Sequence, residues 1–309
     1  MPSEPIKNEL RSSEEQLRSL VSSLDDFVFS IDLEGKFMFY QPMQWSIYDT
    51  PALGDAFIGA LYKDVLPPEI TSVLPSVIAQ VNQNLSPQVI EYTLIADSSK
   101  RYYKGRVAPM FSSRFALIGY TFVANDVTNT VLAQVREQRM LALEGLHRQI
   151  ESTFFGSNDP DSAIEVVLPK IGEMLGVSRI YVFHFRENER RLDKTHEWCA
   201  VDDTAQTDSL QNIPFDERMP SFEPMLTRDG VIMAKNIDDL PPDVAAILRP
   251  LAIKSILISP YHVNERLDGF LGLVETRQYR EWLPEETATL RTAGDGYARL
   301  LERQRSTLD

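Results

Sequence analysis

The fold is decided by the stretch RLDGFLGLVETRQYREWLPEETATLRTAGDGYARLLERQ, which spans residues 266–304. Its opening, RLDGFLGLVET, is a mostly apolar run that predicts a buried strand. A final helix is then predicted from about Pro284 to Arg303, because Pro is favoured in the first turn of a helix. Residues at alternating gaps of three and four mark one side of that helix: Thr287, Leu290, Gly294, Tyr297, Leu301 and Gln304. The stretch therefore predicts a strand followed by a long helix with one periodic face, a helical seam.

The residues before this stretch supply the rest of the same sheet. The break FFGSNDPDS (154–162) precedes a predicted helix that ends at Gly176. Short helices are predicted at Ser221–Thr227 and over 243–251. Further strands are predicted at SRIYVFHFRE (178–187), RLDKTHEWCAV (191–201), VIMAKNI (231–237) and KSILISPYHV (254–263).

The first part of the chain predicts a second, separate sheet. FVFSID (27–32) and FMFYQ (37–41) form a hairpin around a short loop that contains glycine. Apolar residues at helical spacing predict a helix over Glu69–Asn84. Three more strands are predicted at QVIEYTLIA (88–96), KRYYKGRVAPMF (100–111) and FALIGYTFVAN (115–125). The expected fold class is α+β, with two antiparallel-sheet domains joined by long helices.

Helical segments flank and connect these domains. Residues 1–23 predict an amphipathic helix whose apolar seam favours pairing with a second copy. The alternative is a single helix packed on its own domain. The seam consists of Ile6, Leu10, Leu17, Leu20 and Leu24. Residues 130–156 predict a connecting signalling helix, with a weaker coiled-coil pattern. Residues 304–309 are interpreted as the end of a helix that leads to an output module.

Residues 24–129 resemble a PAS domain. The resemblance lies in DFVFSIDLEGKF, IGALYKDVLPPEI, the EYTL…KRYYKGRVAPM hairpin and the closing triplet Asp126-Val127-Thr128. In PAS domains this triplet ends the last strand and starts the exit helix. The resemblance therefore implies that Asp126 and Thr128 relay a signal from sheet to helix. Their short oxygen-bearing side chains also suit a plain helix cap.

Residues 157–303 resemble the GAF domains of bacterial histidine kinases and diguanylate cyclases. Four separated segments carry the resemblance: THEWCA, LQNIPF, LPPDVAAILRPLAIKSILISPY, and LDGFLGLVETRQYREWLPEETATLRTAGDGYARLLERQ. The resemblance implies a sensory region attached to a kinase or cyclase output module, as in two-component systems.

The composition limits which classes of partner and which cellular location we expect for this protein. The formal net charge of -14 disfavours nucleic acid and anionic lipid as partners. The longest apolar run, Phe115–Ala124, is about half the ~20 residues that a membrane-spanning helix needs. The N-terminus does not have the pattern of a signal peptide, and there is one cysteine, Cys199. We therefore expect a cytoplasmic protein without membrane insertion.

The sequence offers no recognisable catalytic or metal site. Its four histidines form no short-spaced cluster with Cys, Asp or Glu, and no phosphate-binding glycine loop is present. His147 lacks the sequence context of a kinase phosphoacceptor and is expected on a solvated helix surface. We therefore predict no enzymatic activity and no metal.

The cofactor is not identified, and three are argued against. The PAS-like region contains neither His nor Cys, which argues against His-ligated haem and a cysteinyl-flavin there. In the GAF-like region Ala200 follows Cys199 where bilin-attaching domains have His, which argues against a bilin. Glu275-Thr276, Trp282 and Glu286 match the cyclic-nucleotide GAF pattern poorly. Haem bound by a GAF histidine stays open.

Aromatic residues are the candidates for pocket linings. Filled cores are the alternative interpretation for both domains. The candidates in the PAS-like domain are Phe29, Phe39, Trp45, Tyr48, Tyr92, Tyr103 and Tyr120. The candidates in the GAF-like domain are Trp198, Phe215, Phe222 and Tyr261.

The leading functional hypothesis is a non-catalytic module that senses a signal and dimerises. It would bind an unknown small molecule or a partner, form a homodimer, and pass a helix rearrangement to a kinase or cyclase module, in a longer protein or in trans. A ligand-free dimerisation scaffold is the alternative. An enzyme with an unrecognised site is the third hypothesis.

Overall fold

The computed structural model describes residues 26–41, 57–96, 99–186, 190–201, 203 and 210–306. The chain divides into two compact units, Met1–Glu137 and Gln138–Asp309. The predicted N-terminal helix over 1–23 and its seam, Ile6 to Leu24, lie outside the described residues, as do residues 307–309 of the predicted tail.

The first unit contains a five-stranded antiparallel sheet in the order β2-β1-β5-β4-β3. Its strands are β1 (Phe27–Asp32), β2 (Phe37–Gln41), β3 (Gln88–Ala96), β4 (Ser99–Phe111) and β5 (Leu117–Asp126). Its short helices are α1 (Tyr62–Val65), α2 (Pro68–Thr71) and α3 (Leu74–Asn84). Apolar side chains from the helices, including Ile70, Leu74 and Val81, are buried in one cluster with those of the sheet.

The predicted helix over Glu69–Asn84 is two helices in the structure. α2 ends at Thr71, and α3 begins at Leu74 with Pro75 in its first turn. Pro75 has no amide hydrogen, so it suits the start of a new helix better than the interior of a long one. The interruption is therefore encoded by a residue inside the periodic stretch.

The second unit contains a six-stranded antiparallel sheet in the order β8-β7-β6-β11-β10-β9. Its strands are β6 (Arg179–Arg186), β7 (Arg191–Cys199), β8 (Ile213–Pro214), β9 (Ile232–Ala234), β10 (Ser255–Val263) and β11 (Arg266–Glu275). The long helices are α4 (Thr128–Gly156), which begins in the first unit, α5 (Pro160–Leu175) and α9 (Pro284–Ser306). The short helices are α6 (Phe215–Arg218), α7 (Phe222–Asp229) and α8 (Pro242–Leu248). The predicted α+β class with antiparallel sheets is confirmed.

One face of this second sheet is covered by α5, α9 and the second half of α4. Apolar residues of the three helices form a single buried cluster with Ile180, Leu271 and Leu273 of the sheet. The side of α9 that carries Leu290 and Tyr297 is buried against its own unit.

His147 differs from expectation, because it is half-buried and not on a solvated helix surface. Its Nε2 lies 2.8 Å from Thr289 Oγ1 on α9.

The other face of the sheet is covered by α6, α7, α8 and two 3-10 turns, Ile237–Asp239 and Arg249–Leu251. Strand alternation divides β6 between the two faces, because successive side chains point to opposite sides. Ile180 and Val182 join the cluster with the long helices, whereas Tyr181, Phe183 and Phe185 join the cluster with the short ones.

Candidate functional site

A small apolar chamber lies between the sheet of the second unit and its short helices. Its volume is about 50 Å³. Five strands and the covering segments line it with Tyr181, Phe183, Leu192, Leu210, Ile213, Met219, Phe222, Val244, Ile247, Leu248, Leu251, Ile253, Ile256, Ile258, Phe270 and Gly272. We call this space the chamber.

Aromatic rings form part of the chamber wall. Phe183 on β6 and Phe270 on β11 are directly paired in register, and their rings stack with centroids 4.8 Å apart. Phe222 meets Phe270 edge-on from α7, with centroids 5.2 Å apart. Such pairs are favourable beyond their burial, so they hold the wall in a defined geometry.

Gly272 leaves the floor of the chamber open. It lies between Tyr181 of β6 and Ile258 of β10 in the strand register, both of which line the chamber. A Cβ atom at Gly272 would meet Ile258 Cγ1 at 3.7 Å, an ordinary contact distance. The space beside this residue therefore exists because the residue has no side chain.

Arg179 forms a charged border beside the chamber. Its Nη1 donates to Tyr181 Oη at 3.2 Å and to the Leu251 carbonyl at 3.1 Å, and its Nη2 donates to Asp203 Oδ1. Asp203 also accepts from Thr276 Oγ1 at 2.8 Å. Among the described residues, Arg179 Nε is buried without a hydrogen-bond partner.

Lys194 and Glu197, which share one face of β7, form a second buried ion pair. Lys194 is 5% exposed, and its Nζ lies 2.5 Å from Glu197 Oε2 and 5.4 Å from the centre of the Tyr181 ring. Burial raises the pKa of Tyr181 to about 12, so its hydroxyl stays protonated. Burial, with the nearby charge of Glu197, raises the pKa of the Cys199 thiol to about 12. Neither group ionises near neutral pH.

The structure separates the four aromatic residues predicted for this unit's pocket. Phe215 and Phe222 lie on the chamber face, and Phe222 lines the chamber. Trp198 and Tyr261 lie on the opposite face, among the long helices. Trp198 is paired with Ile180 in register and packs over Gly172 of α5, where a Cβ atom would overlap its ring.

Tyr181, Phe183 and Phe270 line the chamber but were not among the predicted pocket residues. The alternation along β6 could have indicated the two on that strand, because Tyr181 and Phe183 share a face that Ile180 and Val182 do not. Nothing in one strand alone, however, tells which face the short helices cover.

The pocket candidates of the first unit are mostly core residues. Phe29, Tyr92, Tyr103 and Tyr120 are buried in one cluster, and Tyr92 stacks on Tyr103 with centroids 5.3 Å apart. Phe39 is half-buried and lies outside that cluster. Trp45 and Tyr48 lie outside the described residues.

A β-bulge accounts for the position of Phe39. The register of β1 and β2 runs from Ser30↔Phe39 to Ile31↔Phe37, so Met38 is an extra residue. The bulge puts Phe37 and Tyr40 on the same face, and Tyr40 instead of Phe39 packs against the core.

Asp126 and Thr128 connect the end of the first sheet to the start of α4. Asp126 Oδ1 accepts the Thr128 amide at 2.9 Å, which satisfies one free N–H of the first helical turn. Thr128 Oγ1 accepts the Tyr102 amide of β4 at 2.9 Å, and Asp126 lies 3.6 Å from Arg101. The triplet thus joins two strands and the helix.

Comparisons with known proteins found one curated relative and several solved structures that are similar to this chain. The methanogenesis regulatory histidine kinase FilI of Methanothrix harundinacea is 25% identical over 99% of this chain, and the chain spans 35% of that protein's length. A phycocyanobilin-bound GAF domain from a cyanobacterial phytochrome matches 53% of this chain and 96% of its own, with 15% identity and a TM-score of 0.47. No family model matches.

A larger solved structure matches most of the chain. The chromophore-binding domain of the Stigmatella aurantiaca bacteriophytochrome covers 90% of this chain and 94% of its own length, with 13% identity and a TM-score of 0.47. These likenesses concern the fold alone. The PAS resemblance of the first unit stays a prediction.

One sequence-based exclusion is corrected by these findings. Ala200 after Cys199 was taken to disfavour a bilin, yet the similar solved structures include a bilin-bound GAF domain. The missing Cys-His pair is therefore withdrawn as an argument against a bilin.

The residues compared with the cyclic-nucleotide pattern belong to an ionic cluster inside the second unit. Arg280 donates to the carbonyls of Leu175 and Gly176 and to Glu286 Oε1, and it lies 3.7 Å from Glu275 Oε2. Both carboxylates are almost completely buried. The cluster fixes the end of α5 to the start of α9.

Two features are absent from the part of the chain that the structure describes. No helix there is both long and apolar enough to cross a membrane. No group of three or more His, Cys, Asp or Glu side chains there is placed to hold a metal ion.

Proposed function

We propose that this chain is the sensory region of a longer signalling protein, and that its second unit responds to a small molecule bound in the chamber. The observation that carries the proposal is the chamber itself, an apolar space beside a glycine in the central part of a sheet. Apolar cavities with few polar groups are the usual form of small-molecule sites. The alignment of nearly the whole chain with part of a regulatory histidine kinase supports the same role.

The sheet offers a route from the chamber to the long helices. On β11, Phe270 and Gly272 line the chamber, whereas the alternate residues Leu271 and Leu273 pack in the cluster that contains α9. A ligand that displaces the floor would therefore move residues that contact α9. Such a shift between discrete packing arrangements is a common switching mechanism.

The remaining parts of the proposal concern the whole protein. We propose that the chain is non-catalytic, works as a cytoplasmic homodimer, and passes its signal through α4 and α9 to an output kinase module. Asp126 and Thr128 are proposed to relay a signal from the first sheet into α4, because they join β4, β5 and that helix.

A ligand-free scaffold is the second candidate, and one observation favours it. A volume of about 50 Å³ is small, since side chains already occupy most of the space between the sheet and the short helices. Under this alternative the second unit would only space and pair the helices, and blocking the chamber would leave signalling unchanged.

Ligand retention and ligand-induced stabilisation separate the two candidates. The full chain is purified gently, analysed by native mass spectrometry, and then screened by thermal unfolding against small metabolites and phycocyanobilin. A ligand that binds the folded state raises the unfolding temperature by mass action. Binding that is lost in Gly272→Val but kept in Gly145→Ala supports the chamber. Gly145 is a suitable control because a Cβ there meets nothing within 4 Å.

A further inference from the structure

We infer that the chamber selects an uncharged, compact apolar or aromatic molecule over an anionic one. The inference rests on the proposed function, since it names the class of ligand for the same site. Among the described residues that line the chamber, Tyr181 carries the one hydroxyl, and the other side chains are aliphatic, aromatic or thioether groups or hydrogen. A charge placed there would lose its hydration without gaining a partner.

The polar groups beside the chamber are already engaged with one another. The Tyr181 hydroxyl accepts a hydrogen bond from Arg179, and Arg179 is paired with Asp203. Lys194 is paired with Glu197 at 2.5 Å. Each buried cation therefore has a carboxylate partner, and an anionic ligand would have to compete with that carboxylate.

One nitrogen atom of Arg179 would favour an anionic ligand. Arg179 Nε is buried without a hydrogen-bond partner among the described residues, so it could donate to a carboxylate. Because the same guanidinium already makes bonds to Tyr181, Leu251 and Asp203, its charge is not free. The test therefore compares a neutral ligand with an anionic one of the same ring size.

The walls of the chamber suit a small ring. Phe183, Phe270 and Phe222 present aromatic surfaces to the space. Met219 also lines it, and a Met side chain is adaptable enough to yield room for a ring. A dry cavity of about 150 Å³ lined by Leu, Ile and Phe takes up benzene or xenon. A ring therefore enters this chamber of about 50 Å³ only if its walls move apart.

The experiment is a methyl NMR titration of the full chain with benzene and with benzoate. Saturable shifts at the methyl groups of Ile256, Ile258 and Met219 are expected with benzene. Benzene should bind at least about tenfold more tightly than benzoate, a difference that corresponds to about 1.4 kcal/mol. Gly272→Val should weaken benzene binding by a similar factor, and Gly145→Ala should not. If Gly272→Val does not fold, Gly272→Ala takes its place in the experiment. The Cβ atom of that alanine lies at ordinary van der Waals distances from its neighbours.

Two results would overturn the inference, and they are distinguishable. If benzoate binds more tightly than benzene and loses affinity in Arg179→Gln, the ligand is anionic, whereas the chamber remains a binding site. If neither molecule perturbs the chamber methyl groups of the wild-type chain, the inference fails, and the proposed function fails if the metabolite panel is also negative.

Discussion

The two glycines of β11 provide a stability test of the chamber. Gly272 and Gly269 lie three residues apart, on opposite faces of the same strand. Alanine at Gly272 places a methyl group in the chamber, with Ile258 Cγ1 as its nearest neighbour at 3.7 Å. Alanine at Gly269 places its methyl group into the Phe183 carbonyl and the Tyr261 hydroxyl, where there is no room.

The expected effects have opposite signs. Gly272→Ala removes backbone freedom from the unfolded chain, which stabilises by about 0.4–1 kcal/mol. Burial of the added methyl group contributes about 0.8 kcal/mol. The free energy of unfolding of the second unit should therefore rise by about 1–2 kcal/mol. Gly269→Ala overpacks the sheet and should lower it by about 1–3 kcal/mol or more.

Thermal and urea unfolding of the full chain measure both variants. For a unit of this size, each kcal/mol corresponds to a shift of about 2–4 °C in the midpoint. The fluorescence of Trp198 and Trp282 reports on the unfolding of the second unit, because both residues pack against its buried cluster. If Gly272→Ala is destabilised as much as Gly269→Ala, the chamber has no space beside Gly272.

Three further outcomes are expected. The Cys199 thiol, whose pKa is raised to about 12, should react with a disulfide reagent far more slowly in the folded chain than in denaturant; equal rates would contradict the structure. Arg280→Met should destabilise the second unit by about 3–5 kcal/mol in urea unfolding, because it leaves Glu286 buried without that partner; a neutral result would show that the cluster is not formed. Burial lowers the pKa of His196, so between pH 7 and 5 the wild type should lose stability relative to His196→Gln; parallel pH profiles would argue against a buried imidazole.

The direction of the pH effect follows from where the proton binds. His196 has a folded-state pKa below its ordinary value of 6.5, because burial disfavours the imidazolium, although Asp161, Glu165 and Asp159 partly oppose the shift. The unfolded chain therefore takes up more protons than the folded chain as the pH falls below 6.5. The contribution of neutral His196 to the free energy of unfolding is fully present above pH 6.5 and is lost progressively below that pH.

The sequence predicted the two sheets well because strand signals here are local. Apolar alternation and turn residues identify FVFSID and KSILISPYHV without knowledge of any partner strand. The α+β class follows from the order of these elements. The break between α2 and α3 was also encoded, by Pro75, but helical periodicity on both sides of it concealed the interruption.

The site was harder to predict because it depends on which face of the sheet each residue occupies. Trp198 and Tyr261 are large and aromatic, like Phe222, yet they lie on the face of the long helices. Phe39 was displaced from the core by the extra residue Met38, which no local pattern indicates. The seam of α9 was visible as a pattern, but a pattern of apolar residues does not show whether a second copy or the helix's own sheet covers it.

If a small molecule can occupy the space between Phe270, Gly272 and Ile258, xenon should enter that space in a crystal of the full chain under xenon pressure. We expect a xenon atom there in the wild-type chain, and none there in crystals of Gly272→Val. Xenon density confined to other parts of the molecule, with this space unoccupied in the wild type, would contradict it.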